Sequence, residues 1–192
     1  LDLHQLIYAG IGSDHTHQSI EGMKARMAAG MFIEIQEKSM TPEVMDYLIQ
    51  EDVAQHFCFV TDDVMPDSFV ERGHLNHIVS KAIGMGMKPE DAIYAATYTP
   101  AARMRMHDRG TIAPGKIADF VLLSDLEQFD VEQVYTDGLK VFDKFEEYHQ
   151  APVKSCFPAH FYQSVKLNPL TEQDFTVKLD VADGTHPCRI MM

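Results

Sequence analysis

The sequence predicts an α/β fold: a short parallel sheet covered by helices, followed by a β-rich segment. Three observations predict it. Helical and strand-like runs alternate up to about residue 106. The strand-like runs are largely apolar, as in strands buried on both faces. After Arg109-Gly110 the chain changes to short β-like runs separated by Gly, Pro and Asp. The boundary is expected near 107–112, dividing the chain into segments 1–106 and 107–192.

Each element has its own signal. Leu3, Leu6 and Ile7 fall at helical spacing, and Gly10 follows as a C-terminal stop. Ile11-Gly12-Ser13-Asp14-His15 reads as a short strand ending in polar residues. Ser19 can cap a helix to Ala29, with Gly30 as its stop. Met31 to Ile35 is strand-like. Thr41-Pro42 pairs an N-cap hydroxyl with proline at the first helical position, starting a helix to about Val53. His56 to Thr61 is β-rich and stops at Asp62-Asp63. Ser68 to Gly84 has the pattern of one helix, and Lys88-Pro89 begins another that ends near Thr99-Pro100 or shortly after.

In the second segment, Ala118 to Leu123 and Val131 to Tyr135 are strand-like. Asp137-Gly138 then turns the chain into Leu139 to Phe142, a strong hairpin signal. Residues 150–192 carry weak strand signals. Three parallel strands are too few to close a barrel, so the first segment reads as part of a larger α/β structure.

Composition narrows the function classes. The 192 residues are 45% hydrophobic and 23% charged, which suits a folded chain. The net charge of −13 repels phosphate backbones, so no nucleic-acid partner is expected. No apolar run reaches the roughly 18 residues of a membrane span, and no membrane partner is expected. The first residues, Leu1-Asp2-Leu3-His4, carry neither an initiator Met nor the basic and apolar regions of a signal peptide, so the start is expected not to be native. Three widely spaced cysteines, Cys58, Cys156 and Cys188, give neither a disulfide framework nor a cysteine zinc site. A cytoplasmic setting is expected.

Polar side chains gather where strands end. The first strand runs into Ser13-Asp14-His15-Thr16-His17 and the third into Thr61-Asp62-Asp63. In parallel α/β architectures functional groups collect at these C-terminal ends. Imidazole offers a neutral nitrogen donor, and carboxylate an anionic oxygen that can also take a proton. The competing readings are ordinary: His15 and His17 as loop hydrogen-bonding groups, Asp62-Asp63 as turn caps. Gly73-His74 lies in a helical pattern with no evident physical demand, and surface placement is expected. Met23, Met27, Met85, Met87 and Met104 read as core packing, and Arg103, Arg105 and Arg109 as a solvated face.

Four segments together resemble the adenine deaminase family of the amidohydrolase superfamily. They are Ala9-Gly10-Ile11-Gly12-Ser13-Asp14-His15, Phe59-Val60-Thr61-Asp62-Asp63, Gly73-His74-Leu75, and the run from Arg109-Gly110-Thr111-Ile112-Ala113-Pro114-Gly115 to Leu123. The last is widespread in the superfamily; Ser-Asp-His followed by Thr-Asp-Asp points to adenine deaminase. The tail at Leu170 to Phe175 is also similar to that family's link toward an extra C-terminal domain. The resemblance implies about the last three strands of a TIM-type (β/α) barrel, then a small β-sandwich-like segment. It maps the sixth-strand metal ligand onto His15 and the eighth-strand Asp onto Asp62. The family's early-strand His-x-His, its carboxylate and a further His have no counterpart here. Thr16 stands where the family often has Glu, a departure that bears on adenine as the substrate.

What the resemblance implies is a fragment of a metal-dependent hydrolase that converts adenine to hypoxanthine and ammonia. A divalent metal is implied, manganese or iron first and zinc as an alternative, with His15 and Asp62 as ligands. Asp62 doubles as acid–base catalyst and His15 holds metal or polarises the ring. Asp63 is the reserve if the register is off by one, and His74 is a substrate-side residue. The small-molecule purine is the expected partner, with a homo-oligomer as the assembly. Two alternatives stand beside this: another amidohydrolase activity, such as deamination of a different heterocycle or cyclic-amide hydrolysis, and a non-catalytic chain that only folds or self-associates.

Overall fold

The computed structural model describes residues 2–15, 19–51, 53–146, 156–176 and 184. The chain forms two compact units, Leu1–Tyr148 and His149–Met192. The first opens with α1 (Leu3–Tyr8), β1 (Ser13–Asp14), α2 (Ile20–Ala28), β2 (Phe32–Ile35), α3 (Pro42–Gln50) and β3 (Phe57–Phe59). Three helices follow: α4 (Pro66–Arg72), α5 (Leu75–Gly84) and α6 (Pro89–Arg103). An antiparallel sheet of β4 (Phe120–Asp125), β5 (Asp130–Thr136) and β6 (Leu139–Asp143) completes the unit. In the second unit, the described residues hold 3-10 turns at Ala159–Gln163 and Glu172–Phe175 and no strand.

The first sheet is parallel in the order β1-β2-β3, with Ser13 opposite Phe32 and Ile35 opposite Phe59. The α/β expectation therefore holds. Burial explains why these short runs become strands. Ile33 and Ile35 on β2 are fully enclosed, and all of β3 is buried. Phe57 and Phe59 pack edge to face, with ring centroids 5.6 Å apart. Val44, Met45 and Leu48 of α3, Ile78, Val79 and Ala82 of α5, and Ala92 and Ala95 of α6 complete the core.

Helix starts follow the sequence signals. The Ser19 side chain accepts from Gly22 N–H and the Thr41 side chain from Val44 N–H. The hairpin also forms where Asp137-Gly138 places it. Two readings are corrected. The helix expected over 68–84 is two helices, because Gly73 turns with φ +96°. Met104 is exposed, whereas Met23 and Met87 are buried and Met27 and Met85 pack against the core. Arg103 and Arg105 are exposed, as a solvated face requires, with Arg103 5.9 Å from the Phe32 ring centroid, while Arg109 is half-buried and donates to Asp119 Oδ2 at 3.3 Å.

The Arg109–Asp119 contact gives the Arg-Gly-Thr-Ile run a structural meaning. Asp119 Oδ1 also accepts from Asp137 N–H at 2.9 Å, so one carboxylate links the stretch after α6 to the β5–β6 turn. Gly110, at φ +85°, lets the chain approach α6; a Cβ there would lie 2.6 Å from Ala101 Cβ.

Candidate functional site

A parallel sheet brings the C-terminal ends of its strands to one edge, so the segments that leave β1, β2 and β3 start from a common edge. Leaving β1, His15 is exposed, and its backbone carbonyl accepts from the Gln36 side-chain amide. Gln36, the residue after β2, is itself buried. His17 and Thr16 lie outside the described residues.

Leaving β3, Asp62 adopts a left-handed backbone with φ +54°, and its carbonyl accepts from Val64 N–H at 2.7 Å. Aspartate tolerates this conformation better than most residues. The Asp62 carboxylate is paired with the exposed Lys38 ammonium at 3.5 Å. Its neighbour Asp63 is exposed and lines two adjoining cavities, of about 140 and 290 Å³, that Asp62 does not line. The smaller cavity is also lined by Glu37, Thr61, His74 and His77. Thr61 Oγ1 and His74 Nε2 lie 3.3 Å apart, in hydrogen-bond contact. His74 also stacks at a tilt against Phe69, and its N–H donates to Asn76 Oδ1 at 2.8 Å.

The structure thus brings Thr61, Asp63 and His74 together around one cavity. His15 follows β1, two strands across the sheet from β3, and does not line that cavity. Among the described residues no three His, Cys, Asp or Glu side chains converge on a point that could hold a metal ion. The donor chemistry of His15 and Asp62 suits a borderline divalent ion, one nitrogen and one carboxylate oxygen. Two such donors leave such an ion mainly solvated, so further ligands must complete its shell.

Glu37 is the residue that the sequence did not reveal. It sits in a 3-10 turn, Glu37–Ser39, just beyond β2. Its Oε1 accepts from Lys81 Nζ at 3.0 Å and contacts His77 Nε2 at 3.1 Å, while Oε2 lies 3.7 Å from Arg72. The Lys81 and His77 hydrogen bonds hold its carboxyl below the usual carboxylate range, against the opposing effect of burial. Its one available signal was position: a charged residue two places beyond a buried strand.

The sequence comparisons place this geometry in context. The amidohydrolase family model matches residues 9–141, which include both strand ends, the parallel sheet and the antiparallel sheet as far as Val141 of β6. The chain belongs to the amidohydrolase family. Adenine deaminase 2 of Shouchella clausii is 61% identical over 191 residues, covering 100% of this amidohydrolase chain and 33% of the relative. Adenine deaminase of Clostridium perfringens is 46% identical over 183 residues, covering 93% and 32%. The chain therefore spans about a third of the length of the curated relatives it matches.

Solved structures agree on the fold. Enamidase, described as a member of the amidohydrolase superfamily, has a TM-score of 0.59 at 19% identity, covering 80% of this chain and 46% of that one. A β-aspartyl dipeptidase from Fervidobacterium islandicum AW-1 has a TM-score of 0.60 at 16% identity, covering 79% and 46%. Superfamily members are generally metal-dependent. No helix among the described residues is long and apolar enough to cross a membrane.

Proposed function

We propose that this chain is a portion of a metal-dependent hydrolase that deaminates a purine base, converting adenine and water to hypoxanthine and ammonia. The observation that carries the reading is the 61% identity to an adenine deaminase across the whole chain. In this reading residues 1–106 supply about the last three strands of a (β/α) barrel, and residues 107–192 belong to a β-sandwich-like domain. Three consecutive parallel strands with covering helices, followed by an antiparallel sheet, support that division. The enzyme is cytoplasmic and homo-oligomeric, and acts on a small purine without nucleic-acid or membrane partners.

His15 and Asp62 are the residues that would hold a divalent ion, manganese or iron before zinc. When bound, such an ion supplies water of lowered pKa. The Asp62 carboxylate takes a proton from the attacking water and delivers it to the departing amino nitrogen as ammonia leaves. Its pairing with Lys38 shows the carboxylate already facing a cation. His15 contributes a neutral nitrogen, and His74, held against Thr61 in the cavity wall, is a substrate-side residue. Asp63 is the competing carboxylate, because it lines the cavities.

The test compares Asp62→Asn and Asp63→Asn in the intact enzyme, reading kcat and bound metal together. Asp62→Asn should keep part of the metal and lose about 10²–10⁴-fold in kcat, the range of acid–base assistance. Asp63→Asn should lose about tenfold, the low end of the range for an outer contact. The reverse ranking makes Asp63 the ligand. Near-normal kcat in both variants removes the strand-end assignment altogether.

A further inference from the structure

We propose that Gln36 is a positioning residue for His15, setting the strand end from which the imidazole projects. The inference rests on the reading of His15 as a metal ligand. Gln36 and His15 are the first residues beyond β2 and β1, which run parallel and side by side. The backbone ladder between these strands ends at Asp14 opposite Ile33. Beyond it, the Gln36 amide bridges to the His15 carbonyl and replaces a ladder bond with a side-chain one.

Burial makes the contact a demanding one. Gln36 is only 3% exposed, and a buried amide without a partner costs roughly 1–3 kcal/mol. The amide is therefore committed to this contact. The backbone behind Gln36 is fixed as well. Ser39 N–H donates to the Gln36 carbonyl at 2.9 Å, and the next residue, Glu37, is tied to α5 through His77 and Lys81. A rigid side chain on a rigid turn thus grips the backbone of a residue that is otherwise exposed. Holding a ligand's orientation from outside the metal's own contacts typically alters affinity about 10–100-fold.

The experiment titrates Mn²⁺ into the intact enzyme and follows the free ion by electron paramagnetic resonance, with a melting curve on each sample. Gln36→Met keeps length and apolar bulk but cannot donate. It should weaken Mn²⁺ binding about 10–100-fold while the melting temperature changes little. Gln36→Asn, polar but one methylene shorter, should weaken it too, and serves if the Met variant does not fold. A lower melting temperature with wild-type Mn²⁺ affinity overturns the proposal, because Gln36 would then be structural only. If Gln36→Met binds Mn²⁺ normally while His15→Ala binds weakly, the positioning role is wrong and the metal reading stands. Normal Mn²⁺ affinity in His15→Ala removes the metal reading, and the positioning role with it.

Discussion

Glu37 couples the strand edge to two helices through charge, and this gives a pH dependence of definite sign. Lys81 and His77 from α5 and Arg72 from α4 face its carboxylate, and its pKa is lowered from an ordinary value of 4.5. A depressed carboxylate contributes stability that is present above the unfolded pKa and lost as pH falls through the folded one. Wild type should therefore melt higher than Glu37→Gln at neutral pH, with the gap closing as pH drops below 4.5. Thermal melts across that window read it, and a gap that widens toward acid contradicts the pairing. Cys58 gives a second expectation at this scale. Burial, then the nearby Glu34 carboxylate, push its thiol up to about 12. A thiol reagent on the native chain should leave Cys58 unmodified while the exposed Cys156 reacts. His15, Asp62 and Asp63 were legible as candidates because polar residues directly after apolar strands stand out. Gln36 and Glu37 also follow an apolar strand, but their roles were not legible, because these depend on partners 21 and 44 positions away.

At the scale of elements, propensity and punctuation located the strands and helix starts well. The three parallel strands came out shorter than the apolar runs, since ladder pairing ends where the register does, whereas β5 and β6 came out longer. The break at Gly73 escaped sequence reading because a helical period continues through it. A Cβ at Gly73 would meet the Asn76 amide at 2.8 Å, and that amide receives the His74 N–H. Gly110 is the sharper case. Gly110→Ala combines a left-handed backbone with a 2.6 Å approach to Ala101, and should cost about 1–3 kcal/mol. Adding Ala101→Gly should recover part of that loss, the part due to contact. Chemical denaturation of the single and double variants checks this, and complete recovery would mean that the backbone conformation carries no strain.

For the whole molecule, the sheets explain why this chain reads as a part. In the sheet order, β1 and β3 flank the parallel sheet and β4 and β6 flank the antiparallel one. On β6, Leu139, Val141 and Phe142 are exposed. Unpaired strand edges and apolar side chains favour association with another chain. Light scattering on the purified chain should show a dimer or larger species, and a monodisperse, cooperatively melting monomer would contradict that expectation. The α/β class and the hairpin were legible in sequence because they rest on local pattern. How many ligands a metal site gathers was not, because that depends on residues far apart along the chain. The most direct test of the central claim is hypoxanthine formation from adenine, measured side by side for the manganese-loaded intact enzyme and the manganese-loaded 192-residue chain. The account predicts steady turnover by the intact enzyme and none above background by the chain. Turnover by the chain alone, or an intact enzyme that leaves adenine untouched while deaminating another heterocycle, would contradict it.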